Sequence, residues 1–409
     1  MSAHRKNELT DQSDARQLAA LLDGDHPLKR QAVAWATANP ASGHEFDRSW
    51  WLAAGSAGYI GLLIPSSYGG QGLGVVDALL SFEGLGCGTN DTGMVFALAS
   101  QVFAMQSALS GSGSDEQKQQ WLPRLCRGEV LGSFAMTEPD AGSDPAAITT
   151  LAVANDDGSF VLNGTKAWVT LGPISDVVIV FAQTDPAKGR WGITAFLVPS
   201  DTPGFNPGPV IAKSGLQNCP FGQIDLVDCH VGPGALIGAV GSGMSIFSAA
   251  VEAERAFLYA AQLGVMERLI AQSTLRARTR QQSGHSIGQF QAISHMIAEM
   301  QLRHEAARLL VYKAGVLFER SEPVAMAAAL AKLATSEAAV LSSIDALRIH
   351  GAEGYTVDAG FEMDVRDALG GLAYSGTSEI QRNIVARLLG VDRPLRTVRN
   401  LQSGEEQIT

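Results

Sequence analysis

The hydrophobic period of this 409-residue chain changes twice, and no other sequence feature narrows the choice of fold as much. From about Asp11 to Val130, Ala- and Leu-rich stretches are cut by turns such as Pro65-Ser66-Ser67-Tyr68-Gly69-Gly70, and residues 75–83 start a helix after the glycine-rich turn. Between about Leu131 and Gly241 the period drops toward two. Short β-branched or alternating runs at 159–162, 167–170, 176–181, 192–198 and 224–226 are bounded by Asn155-Asp156-Asp157-Gly158, Asn163-Gly164, Asp185-Pro186 and Pro203-Gly204. This spacing predicts a small antiparallel barrel or sandwich. From about Ser242 the helical period returns. Phe290, Ile293, Ile297 and Met300 form one apolar face, and residues 325–347 read as a helix buried on most sides. The expected class is α+β and multidomain, with helices in 1–130, strands in 131–241, and helices in 242–409 ending in a loose polar tail from Arg393.

A content of 46% hydrophobic and 17% charged residues suits a folded chain with a substantial core and excludes disorder. The formal charge of −11, with no Lys/Arg-rich run, argues against nucleic acid as a partner. Cys87, Cys126, Cys219 and Cys229 stand far apart without a CxxC pair, which is no disulfide framework and fits a reducing, cytoplasmic setting. The N-terminal residues carry charges throughout and lack the roughly 7–15-residue apolar segment of a signal peptide. No uninterrupted apolar run approaches the ~20 residues that span a bilayer. The expectation is a soluble cytoplasmic protein without a membrane partner.

The strongest local signal is Phe134-Ala135-Met136-Thr137-Glu138-Pro139-Asp140-Ala141-Gly142-Ser143-Asp144, followed by a strand hairpin ending in Trp168 and Thr170. A loop with free N–H groups and hydroxyls can meet the acceptor-rich edge of a flavin, and a flat indole can cover a ring face. The same residues also fit a turn and a core tryptophan, and spacing alone favours that plainer reading.

This stretch resembles the signature of the acyl-CoA dehydrogenase family. So do Ile64-Pro65-Ser66-Ser67-Tyr68-Gly69-Gly70-Gln71-Gly72-Leu73-Gly74 upstream, residues 117–128, Leu162-Asn163-Gly164-Thr165-Lys166-Ala167-Trp168-Val169-Thr170, and residues 280–291, 349–355 and 374–382. The match runs in the family's order over about 55–390. The resemblance implies an N-terminal helical domain, a central β-domain and a C-terminal four-helix bundle, with FAD held between them and across a subunit boundary. It implies that Phe134, Met136, Thr137, Gly142, Ser143, Trp168 and Thr170 surround the flavin and ribityl chain, with Ser143 also near the acyl-pantetheine arm. Arg280 and Gln291 are expected to reach the FAD of a neighbouring subunit, Arg348, Gly351 and Gly354 to line its pyrophosphate-adenosine path, and Thr377 and Glu379 to flank it. Three positions depart from the family: Ser283 stands where Phe is frequent, Arg348 where glutamine is usual, and Ala352 where glycine is usual.

The implied reaction removes hydrogen from Cα and Cβ of an acyl thioester, and needs a carboxylate base near a weakly acidic α-proton. In most of the family that carboxylate directly follows the tyrosine of the last segment. Here the segment reads Tyr374-Ser375-Gly376-Thr377, and serine cannot act as that base at neutral pH. An isovaleryl-CoA dehydrogenase-like branch instead uses the glutamate before an arginine on the first long C-terminal helix. Val251-Glu252-Ala253-Glu254-Arg255 places Glu254 there, with Glu252 on another helix face as a second choice. The alternative for Glu254 and Arg255 is a solvated surface pair. Arg255, Tyr374 and Ser375 are the substrate-side candidates beside Ser143. His230, His285, His295 and His350 show no metal-ligand spacing, so no metal is expected, and His350 reads as packing or a backbone contact.

The resemblance leaves the thioester on CoA or on an acyl or aminoacyl carrier protein. It leaves the electron acceptor as an electron-transfer flavoprotein or oxygen, and the assembly as a homodimer or homotetramer. Loss of the usual carboxylate also fits a flavin oxidase or monooxygenase on the same fold, or an inactive flavin-binding homologue.

Overall fold

The computed structural model describes residues 25–43 and 45–391, together with the backbone of a hairpin that pairs Thr397–Arg399 with Glu406–Ile408. The helical stretch expected from Asp11 to residue 24 and the rest of the polar tail lie outside the described residues. Five helices come first: α1 (Pro27–Ala38), α2 (Arg48–Ser56), α3 (Val75–Gly88), α4 (Thr92–Ser112) and α5 (Asp115–Cys126). Their starts follow from local chemistry. Pro27 opens α1, Asp47 and Asp91 accept backbone N–H bonds at the heads of α2 and α4, and Ser114 with Gln117 forms a capping box on α5. The middle of α4, Gln101–Gln106, is π-helical, and the Gln101 Oε1 accepts the Gly132 N–H at 2.7 Å, tying this helix to the first strand.

Eight strands form one sheet: β1 (Gly132–Ala135), β2 (Leu151–Ala154), β3 (Phe160–Thr170), β4 (Val177–Gln183), β5 (Ile193–Pro199), β6 (Phe205–Val210), β7 (Phe221–Val231) and β8 (Leu236–Ile237). Their order is β6-β7-β3-β2-β4-β5-β8, with β1 added alongside β4. Pairing is antiparallel except for β1 with β4 and the single bridge between β2 and β4. The expected hairpin at Asn163-Gly164 is corrected: β3 runs unbroken through it, and the dipeptide marks a register shift against β7. A Cβ on Gly164 would lie 2.6 Å from the Thr150 Oγ1, so the glycine serves close strand approach rather than a turn. Strand β4 is buried on both faces. Val178 and Val180 join Phe196, Val198, Ile224 and Leu226 inside the sheet, while Val177, Ile179 and Phe181 meet Leu109, Leu122, Met244 and Ala250 of the helices. Burial on both sides explains its unalternating apolar run.

The chain returns to helix with α6 (Gly243–Phe257), α7 (Ala260–Thr279), α8 (Gln291–Glu319) and α9 (Ala325–His350), the four long members of the bundle, followed by α10 (Phe361–Gly370) and α11 (Ser378–Leu388). One core runs through both helical regions, joining Trp51, Leu79 and Phe82 to Phe257, Tyr259, Leu263, Val311 and Ala328. Helices α3 and α7 touch backbone to backbone: a Cβ on Gly86 or Gly264 would lie 1.9 Å from a carbonyl oxygen of the other helix. On the face predicted from 290–300, Met300 is buried and Ile293 and Ile297 are partly so, but Phe290 precedes α8 and is 41% exposed. Helices Thr92–Ser112 and Ala325–His350 are long and apolar enough to cross a membrane, yet 83% and 61% of their apolar windows are buried inside the protein, as core helices are.

A polar network that sequence reasoning missed sits between α1, α3, α7 and α8. The fully buried Glu83 accepts from Lys29 (2.8 Å), Arg308 (2.9 Å) and Tyr312, partners up to 229 residues away. Burial pushes its carboxyl upward, but Arg308 and Lys29 outweigh that and hold it below its ordinary value. Glu83, Glu267 and His304 bring metal-ligand atoms within 4.8 Å of one another, but the Lys29 ammonium already bridges the two carboxylates.

Candidate active site

The loop after β1 hangs from one buried anchor. Glu138 accepts from the backbone N–H and the hydroxyl of both Thr149 and Thr150, and from the Lys166 Nζ at 2.8 Å. Lys166, fully buried on β3, also donates to the Met136 carbonyl at 3.0 Å, and the Ala167 N–H donates to the Thr137 carbonyl at 2.9 Å. Burial opposes ionisation of Glu138, yet the Lys166 charge and the surrounding donors take its carboxyl down to about 2. With Met136, Thr137 and Glu138 fixed, Gly142, Ser143 and Asp144 are left exposed at the loop tip.

Beside this loop, β3 slips register against β7 between Lys166 and Val169, and Trp168 takes the left-handed backbone φ of +57°. The bulge turns the indole outward, where it is 56% exposed with its ring 5.8 Å from that of Phe221. A non-glycine residue held in that conformation costs about 1–3 kcal/mol, and such residues and bulges cluster at binding sites. The core-tryptophan alternative is therefore corrected: Trp168 lies on the surface, next to Ala167, whose N–H holds the loop at the Thr137 carbonyl, and its ring is open to a planar partner. Thr170 is half-buried and its carbonyl accepts from the Ser133 hydroxyl. Phe134 and Met136 lie partly or wholly in packing, the former stacked 6.0 Å from Phe247 of α6.

The second group of residues surrounds Glu254 in the last turn of α6. Its Oε1 accepts from the Ser375 hydroxyl at 2.8 Å across 121 residues of sequence. The surface-pair alternative fails here: Glu254 is half-buried and tied to Ser375, so its carboxyl is not a freely solvated surface group. Burial raises it, and the Ser375 hydrogen bond and the Arg255 charge only partly oppose that rise. Arg255 is partly buried, and its Nε has no hydrogen-bond partner. Tyr374 lies against Phe96 (4.6 Å between ring centroids) on one side and Tyr259 (5.4 Å) on the other, so an aromatic wall stands next to the carboxyl.

A segment that sequence reasoning did not single out runs from the Trp168 side to α10 and the head of α4. The Lys213 ammonium sits 5.1 Å from the Phe221 ring, next to Trp168, and donates to the Cys219 carbonyl. Leu216, at φ +51°, donates its N–H to Asp367 of α10, and Asn218 donates to Asp91 at the head of α4. Burial pushes the Asp367 carboxyl up to about 7. No motif marks this loop, because its partners come from α4 and α10.

The remaining candidates lie elsewhere. Arg280 and Gln291 are exposed on either side of a two-residue hairpin that contains Ser283 and Gly284, both at positive φ. Arg348 is mostly exposed and pairs with Asp345 at 3.1 Å, and Gly351 (φ +65°) ends α9. A Cβ on Gly354 would lie 2.6 Å from the Leu347 carbonyl oxygen. His350 Nδ1 donates to the Ala346 carbonyl oxygen at 2.8 Å and the ring stacks 3.9 Å from Phe361, a packing role. Thr377 caps α11 by accepting the Ile380 N–H, and Glu379 is exposed in that helix's first turn.

Models of the acyl-CoA dehydrogenase N-terminal, middle and C-terminal domains match residues 28–129, 133–229 and 241–390. The chain is 40% identical over 353 residues to an L-prolyl-[peptidyl-carrier protein] dehydrogenase of Pseudomonas fluorescens, covering 85% of this chain and 93% of that protein. Among solved structures, that of the prolyl acyl carrier protein oxidase AnaB is similar at a TM-score of 0.87 and 38% identity, over 89% of this chain and 98% of the other. That of PigA with FAD and proline is similar at a TM-score of 0.87 and 34% identity, over 89% and 97%.

Proposed function

The chain belongs to the acyl-CoA dehydrogenase family, and from that premise we propose that it carries out FAD-dependent α,β-dehydrogenation of an acyl thioester with Glu254 as base. The observation that carries this reading is the Glu254 carboxyl itself: half-buried, raised by desolvation, and held at 2.8 Å by the residue that stands at the family's usual base position. Desolvation makes a carboxylate a stronger base, as an α-proton requires. The bound FAD supplies the acceptor for the β-hydrogen, which leaves as hydride.

The residues present fit that cofactor. Trp168 offers an exposed ring, Thr137, Gly142, Ser143 and Thr170 are assigned to the adjoining edge, and the Lys166–Glu138 anchor keeps the loop from relaxing. Phe134 and Met136 support this surface from the core side. Arg348, Gly351, Gly354, Thr377 and Glu379 are assigned to the adenosine end, and Arg280 and Gln291 to the FAD of a neighbouring copy. Exposed Leu302, Leu309, Leu341, Ile344, Leu388 and Leu389 on α8, α9 and the end of α11 support a homodimer or homotetramer. Four free cysteines, three of them buried, support a reducing cytoplasmic setting.

The substrate we favour is a small acyl or aminoacyl group, with prolyl first, carried on a carrier protein. Two observations support it: relatives at up to 40% identity are named for prolyl groups on carrier proteins, and Phe96, Tyr374 and Tyr259 stand close beside the base. Arg255, with its unpartnered Nε, is assigned to the polar arm that carries the thioester. The test is mass spectrometry of carrier-bound prolyl and a panel of acyl-CoAs after incubation with the enzyme. Loss of two hydrogens from the carrier-bound group is expected; loss confined to an acyl-CoA reassigns the carrier, and no loss from any thioester overturns the reading. Because one relative is described as a dehydrogenase and another as an oxidase, oxygen consumption in the same assay decides between oxygen and a protein acceptor such as an electron-transfer flavoprotein.

A further inference from the structure

The turn that carries Ser375 is held far more firmly than an ordinary loop. Ser375 has φ +55° and Gly376 φ +84°, two successive left-handed residues of which only the second is glycine. Such a conformation persists in serine only where the surroundings over-determine it. Here they do. The fully buried Gln381 donates its Nε2 to the carbonyls of both Ser375 (3.2 Å) and Gly376 (3.0 Å). Thr377, which follows the turn, is fixed as the cap of α11, and the preceding Tyr374 ring is wedged between Phe96 and Tyr259. The Tyr259 hydroxyl in turn donates to the Gly371 carbonyl at 2.9 Å.

All of this rigidity ends in one side-chain contact, the 2.8 Å hydrogen bond from the Ser375 hydroxyl to Oε1 of Glu254. Among the described residues, no other hydrogen bond reaches that carboxylate. From this geometry we infer that Ser375 is a positioning residue: its hydroxyl fixes Oε1, leaving Oε2 as the oxygen that faces the substrate and receives the α-proton. The residue at the usual base position thus aims the base instead of replacing it. A donor to one oxygen also favours the ionised carboxylate, opposing burial.

The inference rests on Glu254 being the base, so its test separates the two claims. Ser375→Gly removes the hydroxyl and suits the left-handed backbone, so folding and flavin content are kept. Ser375→Asn tolerates the same backbone and restores an N–H donor. The readout is the rate of anaerobic flavin reduction by substrate as a function of pH. A hydrogen bond to a charged group is worth about 1.5–3 kcal/mol, so its loss moves the acid limb of the profile up by about 1 pH unit or more. In Ser375→Gly the limb is expected to move up and kcat to fall roughly tenfold, with KM within about twofold of wild type. Ser375→Asn is expected to recover part of both losses. An unchanged limb and kcat in Ser375→Gly overturns the positioning role, provided Glu254→Gln abolishes reduction. If Glu254→Gln leaves reduction intact, the base assignment falls first and the positioning role with it.

Discussion

Replacing Lys166 by methionine isolates the anchor beneath the cofactor loop. Lys166 is fully buried and holds the Met136 carbonyl and Glu138 together, so Lys166→Met keeps most of the volume but leaves a buried carboxylate without its counter-charge. Breaking a buried pair from one side typically costs about 3–5 kcal/mol. Against burial, Lys166 and the Thr149 and Thr150 donors hold the Glu138 carboxyl at about 2 against an ordinary 4.5, which stabilises the fold, while burial takes the Lys166 ammonium down to about 8 and offsets part of that gain. Because the folded Glu138 value is depressed, its contribution is fully present above pH 4.5 and is lost as pH falls through about 2. In Lys166→Met the sign reverses: the unpaired carboxyl takes up a proton more readily in the folded state, so the variant gains stability as pH drops from 7 toward 5. The assay is the urea midpoint at pH 5 and pH 7, with bound flavin measured by absorbance. A loss of about 3–5 kcal/mol at pH 7 and weakened flavin retention are expected. The double variant Glu138→Gln/Lys166→Met is expected to be less destabilised than the sum of the single variants. A variant within about 0.5 kcal/mol of wild type, or additive singles, refutes the anchor.

Three further outcomes follow from other parts of the molecule. Trp168→Ala, at a mostly exposed ring, is expected to leave the urea midpoint within about 1 kcal/mol of wild type while raising the rate of flavin loss on dilution; unchanged flavin retention removes Trp168 from the cofactor surface. Asp367 is raised by burial from 3.8 to about 7, so the folded protein loses stability as pH rises between those values; Asp367→Asn is expected to be more stable than wild type at pH 8 and little different at pH 4, within a ceiling of roughly 4 kcal/mol. Arg280→Ala is expected to keep the fold and the oligomer, read by light scattering, and to lose FAD more readily, since the exposed side chain is assigned to the neighbour's cofactor.

Much of the architecture was legible because burial writes itself into period. The switch near residue 131 precedes β1 at Gly132, and the return near 242 precedes α6 at Gly243. Strand β4 read as apolar throughout because both of its faces are covered. Asn163-Gly164 misled because glycine serves a bulge as readily as a turn, and only the approach of Thr150 distinguishes them. At the site, Glu254 and Ser375 each drew notice through the family resemblance, but their contact across 121 residues has no local signature. The Glu83 network, Asp367 and the 213–219 segment escaped for the same reason: each is assembled by helices or loops distant in sequence, from residues that are unremarkable where they stand.

The most direct test of the account compares wild type and Glu254→Gln in an anaerobic titration of the flavin spectrum with carrier-bound prolyl thioester and with acyl-CoAs. The account predicts that one of these thioesters bleaches the oxidised flavin band of wild type, whereas Glu254→Gln binds flavin normally and is not bleached. Equal bleaching in the variant contradicts the assignment of the base, and a flavin-loaded wild type that no thioester bleaches contradicts the proposed reaction.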